Sequence, residues 1–296
     1  MIRYIDEHRR SFGVEPICRT MQIAPSSYYA AKSRRPSARA VRDEVVKDVL
    51  VRVHRAHFGV YGVRKAWRAL QRVGIEAGRD QVRRLMREVG LQGITRTKRV
   101  RTTKPAVLEQ RPADLVERVF SATAPNRLWV ADLTYVWTRA GFVYTAFVID
   151  AFSRAIVGWR VMASLRAELA LDALEMAIWS RRDEALAGLV HHSDRGVQYL
   201  SIRYTERLAE AEAVSSVGSR GDSYDNALAE TVNGLYKAEL INRRGPWRTV
   251  EQVELATADW VHFWNNRRLH EACGYSPPAE YEAAYHSGLR ATTEAA

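Results

Sequence analysis

Residues 188–199 read GLVHHSDRGVQY, an apolar run that ends in a carboxylate, Asp194, set among two histidines, an arginine and a glycine. The run starts as a buried strand does, whereas Asp and Gly are depleted in strands. It therefore marks the carboxyl end of a strand, the end at which ligands sit in α/β sheets. Upstream the apolar period becomes two. LWVADLTYVW (128–137), GFVYTAFVID (141–150) and AIVGWRVM (155–162) are separated by turn-like TRA and AFSR, a pattern that predicts an antiparallel three-stranded meander. An apolar helix is expected from about 166 to 180, a helix near 202–212, a short strand at AVSSV (213–217) and a long helix from about 223 to 241. Three strands followed by alternating helix and strand predict a mixed α/β sheet flanked by helices. Trp260, Phe263 and Trp264 recur at core spacing on a further helix starting near Val250.

The first third of the chain has a different period. PICRTMQIAPSSYYAAKSRR predicts a short helix, a turn at Ala24-Pro25 and a second helix capped by Ser26 or Ser27. Farther on, Val63, Ala66, Trp67 and Leu70 fall at i, i+3, i+4, i+7, and Val82, Leu85, Met86 and Val89 repeat that spacing after a glycine-containing break at 74–78. Two amphipathic helices joined by a short turn predict a helix-turn-helix, with Arg79, Arg83, Arg84 and Arg87 outward for DNA phosphates. The expected divisions are an N-terminal helical segment (1–40), the helix-turn-helix domain (41–94), a basic linker (95–122), the mixed α/β core (123–245) and a C-terminal helix and tail (246–296).

Charge supports this division. Residues 1–120 carry 27 Lys and Arg against 12 Asp and Glu, while the remainder carries 18 against 22. The excess behind the net +11 thus sits in the helical part, as expected of a region that holds a polyanion. At 47% hydrophobic and 27% charged the composition is that of an ordinary globular protein. No apolar run reaches membrane-spanning length and the amino terminus lacks a signal-peptide core, so a cytoplasmic protein without a membrane partner is expected. Two cysteines far apart, Cys18 and Cys273, offer neither a disulfide framework nor paired zinc ligands.

Asp132 lies mid-strand on the face of Leu128, Val130, Thr134 and Val136, where an unpaired charge costs several kcal/mol. Asp194 raises the same difficulty. On the long helix, with Leu228, Val232 and Leu235 taken as the core face, Asn226, Glu230, Asn233 and Lys237 form a narrow polar stripe on the far side. Carboxylates from two strands and a helix can converge on Mg²⁺ or Mn²⁺, and two such ions can drive displacement at a phosphodiester. His191 and His192 point to opposite faces of their strand, so at most one, His192, shares the face of Asp194.

These segments resemble the OrfB-type transposases of bacterial insertion sequences, the insertion sequence three group, with a retroviral-integrase-like catalytic core. WVADLTYV, HSDRGVQY, GDSYDNALAETVNGLYKAEL and NNRRLHEACGYSPPAEY carry the resemblance, together with YGVRKAWRAL and VRRLMREVGL upstream, and it covers nearly the whole chain. Thirty-five residues separate Asp194 from Glu230, and Lys237 follows Glu230 by seven. The resemblance implies a ribonuclease-H-like fold and a polynucleotidyl transferase with two Mg²⁺ (or Mn²⁺) ions. Asp132 would bridge both metals, and Asp194 and Glu230 would each hold one. Lys237, Asn226 and Arg195 with Gly196 would contact DNA near the scissile phosphate, with His192 as a further contact. Implied partners are double-stranded DNA at terminal inverted repeats and target, further copies of the chain, and an upstream-frame protein or fusion; the implied place is the nucleoid-bearing cytoplasm. A metal-dependent nuclease without strand transfer and a non-catalytic DNA-binding regulator are the alternatives.

Overall fold

The computed structural model describes residues 1–95, 116, 121–194, 198–199, 201–217 and 226–294, and forms two compact units, Met1–Leu50 and Val51–Ala296. In the first unit, helices α1 (Ile2–Phe12), α2 (Val14–Thr20) and α3 (Pro25–Ser33) enclose Ile5, Ile17, Cys18 and Tyr28. The start of α3 departs from expectation. Pro25 occupies the first helical position after Ala24, with no side-chain cap from Ser26 or Ser27. The fixed φ of proline suits that position, so the helix begins ahead of the serines. Helix α4 (Ala38–Ala56) follows.

Helices α5 (Val63–Arg72) and α6 (Arg79–Glu88) form the expected hairpin, burying Ala66, Ala69 and Leu70 on one side and Val82, Leu85 and Met86 on the other. The intervening turn is closed by Trp67, whose indole N–H donates to the Ala77 carbonyl at 2.9 Å. Gly74 there takes a φ of 77°, which glycine adopts without strain.

The second unit is built on a five-stranded sheet in the order β3-β2-β1-β4-β5, where β1 is Leu128–Thr138, β2 Gly141–Asp150, β3 Ile156–Met162, β4 Val190–Ser193 and β5 Val214–Val217. Strands β1 to β3 form the expected antiparallel meander, β4 pairs parallel to β1, and β5 pairs parallel to β4. One face carries Trp129, Ala131, Ala146 and Val148 against helix α7 (Ala167–Ser180), with Tyr204 and Leu208 of helix α8 (Ile202–Glu210) in the same core. Gly158 makes this layer possible: a Cβ there would come within 2.1 Å of the Ala173 carbonyl oxygen.

The other face is covered by helix α9 (Ala227–Tyr236), which runs on through a π-turn (Lys237–Ile241) and the short α10 (Asn242–Arg244), and by α11 (Val250–Asn266). Trp260, Phe263 and Trp264 are buried, so this aromatic helix belongs to the core. Asn265 bonds both the N–H and the C=O of Ile156 on edge strand β3 through its side chain. The last helix, α12 (Pro278–Glu294), is anchored through Glu282, which accepts from Arg181 and Ser153.

Two expectations for α9 need correction. Asn226 precedes the helix as its N-cap residue, and the buried residues are Ala229, Val232, Asn233 and Tyr236 rather than a Leu228/Val232/Leu235 face. The sheet beneath is not wholly apolar. It presents Asp132 and Thr145, and the helix turns Asn233 and the Tyr236 hydroxyl toward them.

Candidate active site

Register brings the first two acids together. Ala131 on β1 lies opposite Ser193 on β4, and pairing stops there. Asp132, still within β1 and paired with Phe147 of β2, and Asp194, the residue just past the end of β4, therefore follow neighbouring positions on chains about 4.8 Å apart. Asp132 is half-buried and Asp194 exposed. Helix α9 supplies the third member: Glu230 is exposed one turn before Asn233, whose Nδ2 donates to Asp132 Oδ2 at 2.8 Å. The Leu133 N–H donates to Asp132 Oδ1, also at 2.8 Å.

Electrostatics reports the same convergence. Burial, then the charges of Asp194 and Glu230, push the Asp132 carboxyl up to about 7 against the partial relief of its two donors. The buried Tyr199 hydroxyl is raised by burial and by the same two aspartates, which puts it beside them. The Oδ1 atoms of Asn226 and Asn233, both buried, have no hydrogen-bond partner among the described residues. Among those residues no three His, Cys, Asp or Glu side chains stand as a ready metal-holding group.

The other expected contacts divide. Lys237 is half-buried, with its ammonium 4.1 Å from the centre of the Tyr135 ring. Asn226 donates from Nδ2 to the Ala131 carbonyl at 3.1 Å and is 8% exposed, so it ties the helix start to the strand that carries Asp132 and has no surface to offer DNA. His192 is wholly buried against the Ser216 hydroxyl at 3.0 Å, which removes it as a DNA contact. His191 faces the opposite core and meets the Tyr204 hydroxyl at 3.0 Å; burial brings it down to about 4, so it stays neutral. Arg195 and Gly196 lie outside the described residues, as does the linker from 96 onward apart from Val116.

On α6, Arg79, Arg83 and Arg87 are exposed; Arg83 pairs with Asp80, and Arg84 is half-buried and paired with Glu88. Asn233 is the residue whose importance the stripe alone did not reveal. Its signal was its place on the Glu230 side of α9, opposite an acid that needed a donor.

Three family models match the chain: an HTH-like domain over residues 41–99 and two models of the integrase core domain over 122–223 and 214–278. The transposase for insertion sequence element IS629 of Shigella sonnei is 50% identical over 296 residues, which cover 98% of each chain. A relative assigned to insertion sequence element IS986/IS6110 in Mycobacterium tuberculosis (strain CDC 1551 / Oshkosh) is 57% identical over 270 residues, 90% of this chain and 97% of that one. The catalytic core domain of HTLV-2 integrase, solved in complex with magnesium in a trimeric form, is 18% identical with a TM-score of 0.42, covering 54% of this chain and 98% of the other. Among the described residues no helix is long and apolar enough to cross a membrane.

Proposed function

From the premise that this chain belongs to the insertion-sequence transposases with an integrase core domain, we propose that Asp132, Asp194 and Glu230 are the carboxylates of a metal-dependent site that cuts and joins the ends of an insertion sequence. The observation that carries this reading is the pairing of Ala131 with Ser193, which sets Asp132, inside β1, beside Asp194, just past the end of β4, under a helix bearing the third acid. The donor set fits a hard divalent cation. It consists of carboxylate oxygens, it holds its charge in mutual repulsion, and two buried amide oxygens beside it have no donor among the described residues.

Magnesium or manganese bound there would supply Lewis-acid polarisation of the phosphodiester and activation of an attacking oxygen. The chain's own residues do the rest. Asn233 and the Leu133 N–H fix the Asp132 carboxylate in one orientation, and Asn226 pins the start of α9 to β1. Lys237 brings positive charge to the same end of the sheet. Arg79, Arg83 and Arg87 give α6 a cationic face for phosphates of the terminal repeats.

The test uses purified protein, Mn²⁺ and a labelled, pre-cut insertion-sequence end. Joined products are expected from the unaltered protein. Asp132→Asn and Glu230→Gln are expected to abolish joining while leaving end binding intact. Cleavage without joining would assign the site to a nuclease, and full activity in both variants would remove the carboxylates from the reaction.

A further inference from the structure

The hairpin that carries Asp132 ends in a group of aromatic rings that the core does not use. Tyr135, Trp137 and Phe142 are 42%, 66% and 48% exposed. Trp137 and Phe142 lie opposite each other in the β1–β2 register, with ring centres 4.8 Å apart, and Tyr135 meets Phe142 at 5.6 Å. Both contacts are edge-to-face, and Tyr144 extends the row at 6.5 Å from Phe142. Trp129, Ala131 and Leu133 of the same strand face pack in the α7 core, but that core stops short of the hairpin end.

Charge selects the occupant. From Leu133 to Ile149 the hairpin has no acidic residue and one basic residue, Arg139, which is exposed. Lys237 lies on the Tyr135 ring, and Trp247, followed by exposed Arg248, bridges to Thr138 at the hairpin end. Rings interleaved with cations, without acids, match single-stranded nucleic acid, whose bases stack on aromatic faces while its phosphates meet positive charge. The exposed ring area is on the order of 300 Å², well under the roughly 800 Å² per partner of a stable protein interface.

Place narrows it further. Tyr135 and Trp137 follow Asp132 by three and five residues, about 10 and 17 Å along a strand, or some three to five stacked nucleotides. Strand β4 ends beside Ala131, and Lys237, on the helix that covers the Asp132 face, reaches the ring on the other face.

Resting on the reading of Asp132 as part of a DNA-cutting site, we propose that Tyr135, Trp137 and Phe142 form a stacking platform for unpaired nucleotides of the DNA end held at that site. The platform would bind an opened end better than a blunt duplex, favouring ends whose terminal base pairs have come apart.

The experiment measures binding of the full chain, without divalent metal, to one duplex supplied blunt and with a five-nucleotide unpaired tail. Tryptophan fluorescence and anisotropy of labelled DNA are the readouts. The unaltered protein is expected to prefer the tailed end, with tryptophan quenching. Trp137→Ala and Phe142→Ala are each expected to weaken tailed-end binding at least about 5-fold with blunt binding unchanged, since a base–aromatic stack is worth at least that factor. Trp137→Phe should keep most of the preference. Equal tailed-to-blunt ratios in the alanine variants and the unaltered protein would overturn the platform. So would a change of oligomeric state in Trp137→Ala by sedimentation, which would assign the rings to a second copy. The reading of the acids fails separately: Asp132→Asn should lose joining yet keep the tail preference, and an active Asp132→Asn would sink the catalytic assignment without touching the platform.

Discussion

Asp132→Asn replaces by its neutral isostere a carboxylate whose charge burial, Asp194 and Glu230 oppose, and it is expected to stabilise the metal-free fold while abolishing joining. Burial together with Asp194 and Glu230 raises the Asp132 carboxyl from 3.8 to about 7. One pH unit corresponds to about 1.4 kcal/mol, so the ionised carboxylate costs the fold up to about 4 kcal/mol at neutral pH. An asparagine oxygen can replace only one of the two acceptors now used by Leu133 and Asn233, a loss of about 1 kcal/mol. The remainder, about 2–3 kcal/mol, raises the melting temperature by roughly 5 °C or more for a unit of this size. The sign with pH follows from proton binding. Between the unfolded value of 3.8 and the folded value of about 7, the folded chain holds a proton that the unfolded chain has released. The penalty is therefore absent below about pH 4, grows as pH rises, and levels off above about pH 7. Thermal unfolding of both proteins in a chelator, at about pH 4 and about pH 7.5, measures the gap directly. Adding Mg²⁺ at the higher pH should raise the unaltered protein and leave Asp132→Asn where it is. A variant no more stable than its parent at the higher pH, or a gap that ignores pH, would refute the crowding of these carboxylates.

Replacing Arg79, Arg83 and Arg87 together with Ala should weaken end binding and reduce the slope of log affinity against log salt by about 0.9 for each phosphate left unneutralised; Arg84→Ala, whose guanidinium is held by Glu88, should barely change it. Arg268 and Glu239 form an ion pair at 2.7 Å with both side chains almost wholly buried, so Arg268→Ala should cost about 3–5 kcal/mol in chemical unfolding, and a loss under about 1 kcal/mol would mean that water reaches the pair. Gly158→Ala forces α7 off β3 because the added methyl meets the Ala173 carbonyl, and a soluble variant with an unchanged melting temperature would contradict that packing.

Most of the sheet was legible because each strand repeats its hydrophobic period: the three meander strands, the two short parallel strands and α7 lie where that period placed them. Asp132 and Asp194 were legible as acids standing where apolar residues belong. The face of α9 was not. Its leucines suggested an apolar contact, whereas Asn233 and Tyr236 answer polar groups of strands 101 and 91 residues upstream, and no local period encodes a partner that far away. His192 misled for the converse reason: it shares the Asp194 face, but β5 runs alongside and covers it with Ser216. The short-range pattern gave the face of the strand without the neighbour.

That distant pairing also ties the helix-turn-helix to the acids. Tyr61, just ahead of α5, accepts the Leu269 N–H at 2.7 Å through its hydroxyl and donates to the Arg267 carbonyl at 3.4 Å. Between those residues Arg268 enters the core to meet Glu239, which also accepts from the Trp260 indole. Glu239 lies in the π-turn that continues α9, two residues after Lys237 and nine after Glu230. The start of α5, the turn after α11 and the end of α9 thus share one buried network whose charged members cannot be separated without stranding a charge. Phe58 strengthens the attachment by stacking on Phe263 at 4.4 Å and lying under the Arg244 guanidinium. Around this buried network, exposed ion pairs of Arg64 with Glu271 and Arg72 with Glu280 add further contacts across the same junction. Through this network the chain ahead of α5 is joined to the end of the helix that carries Glu230.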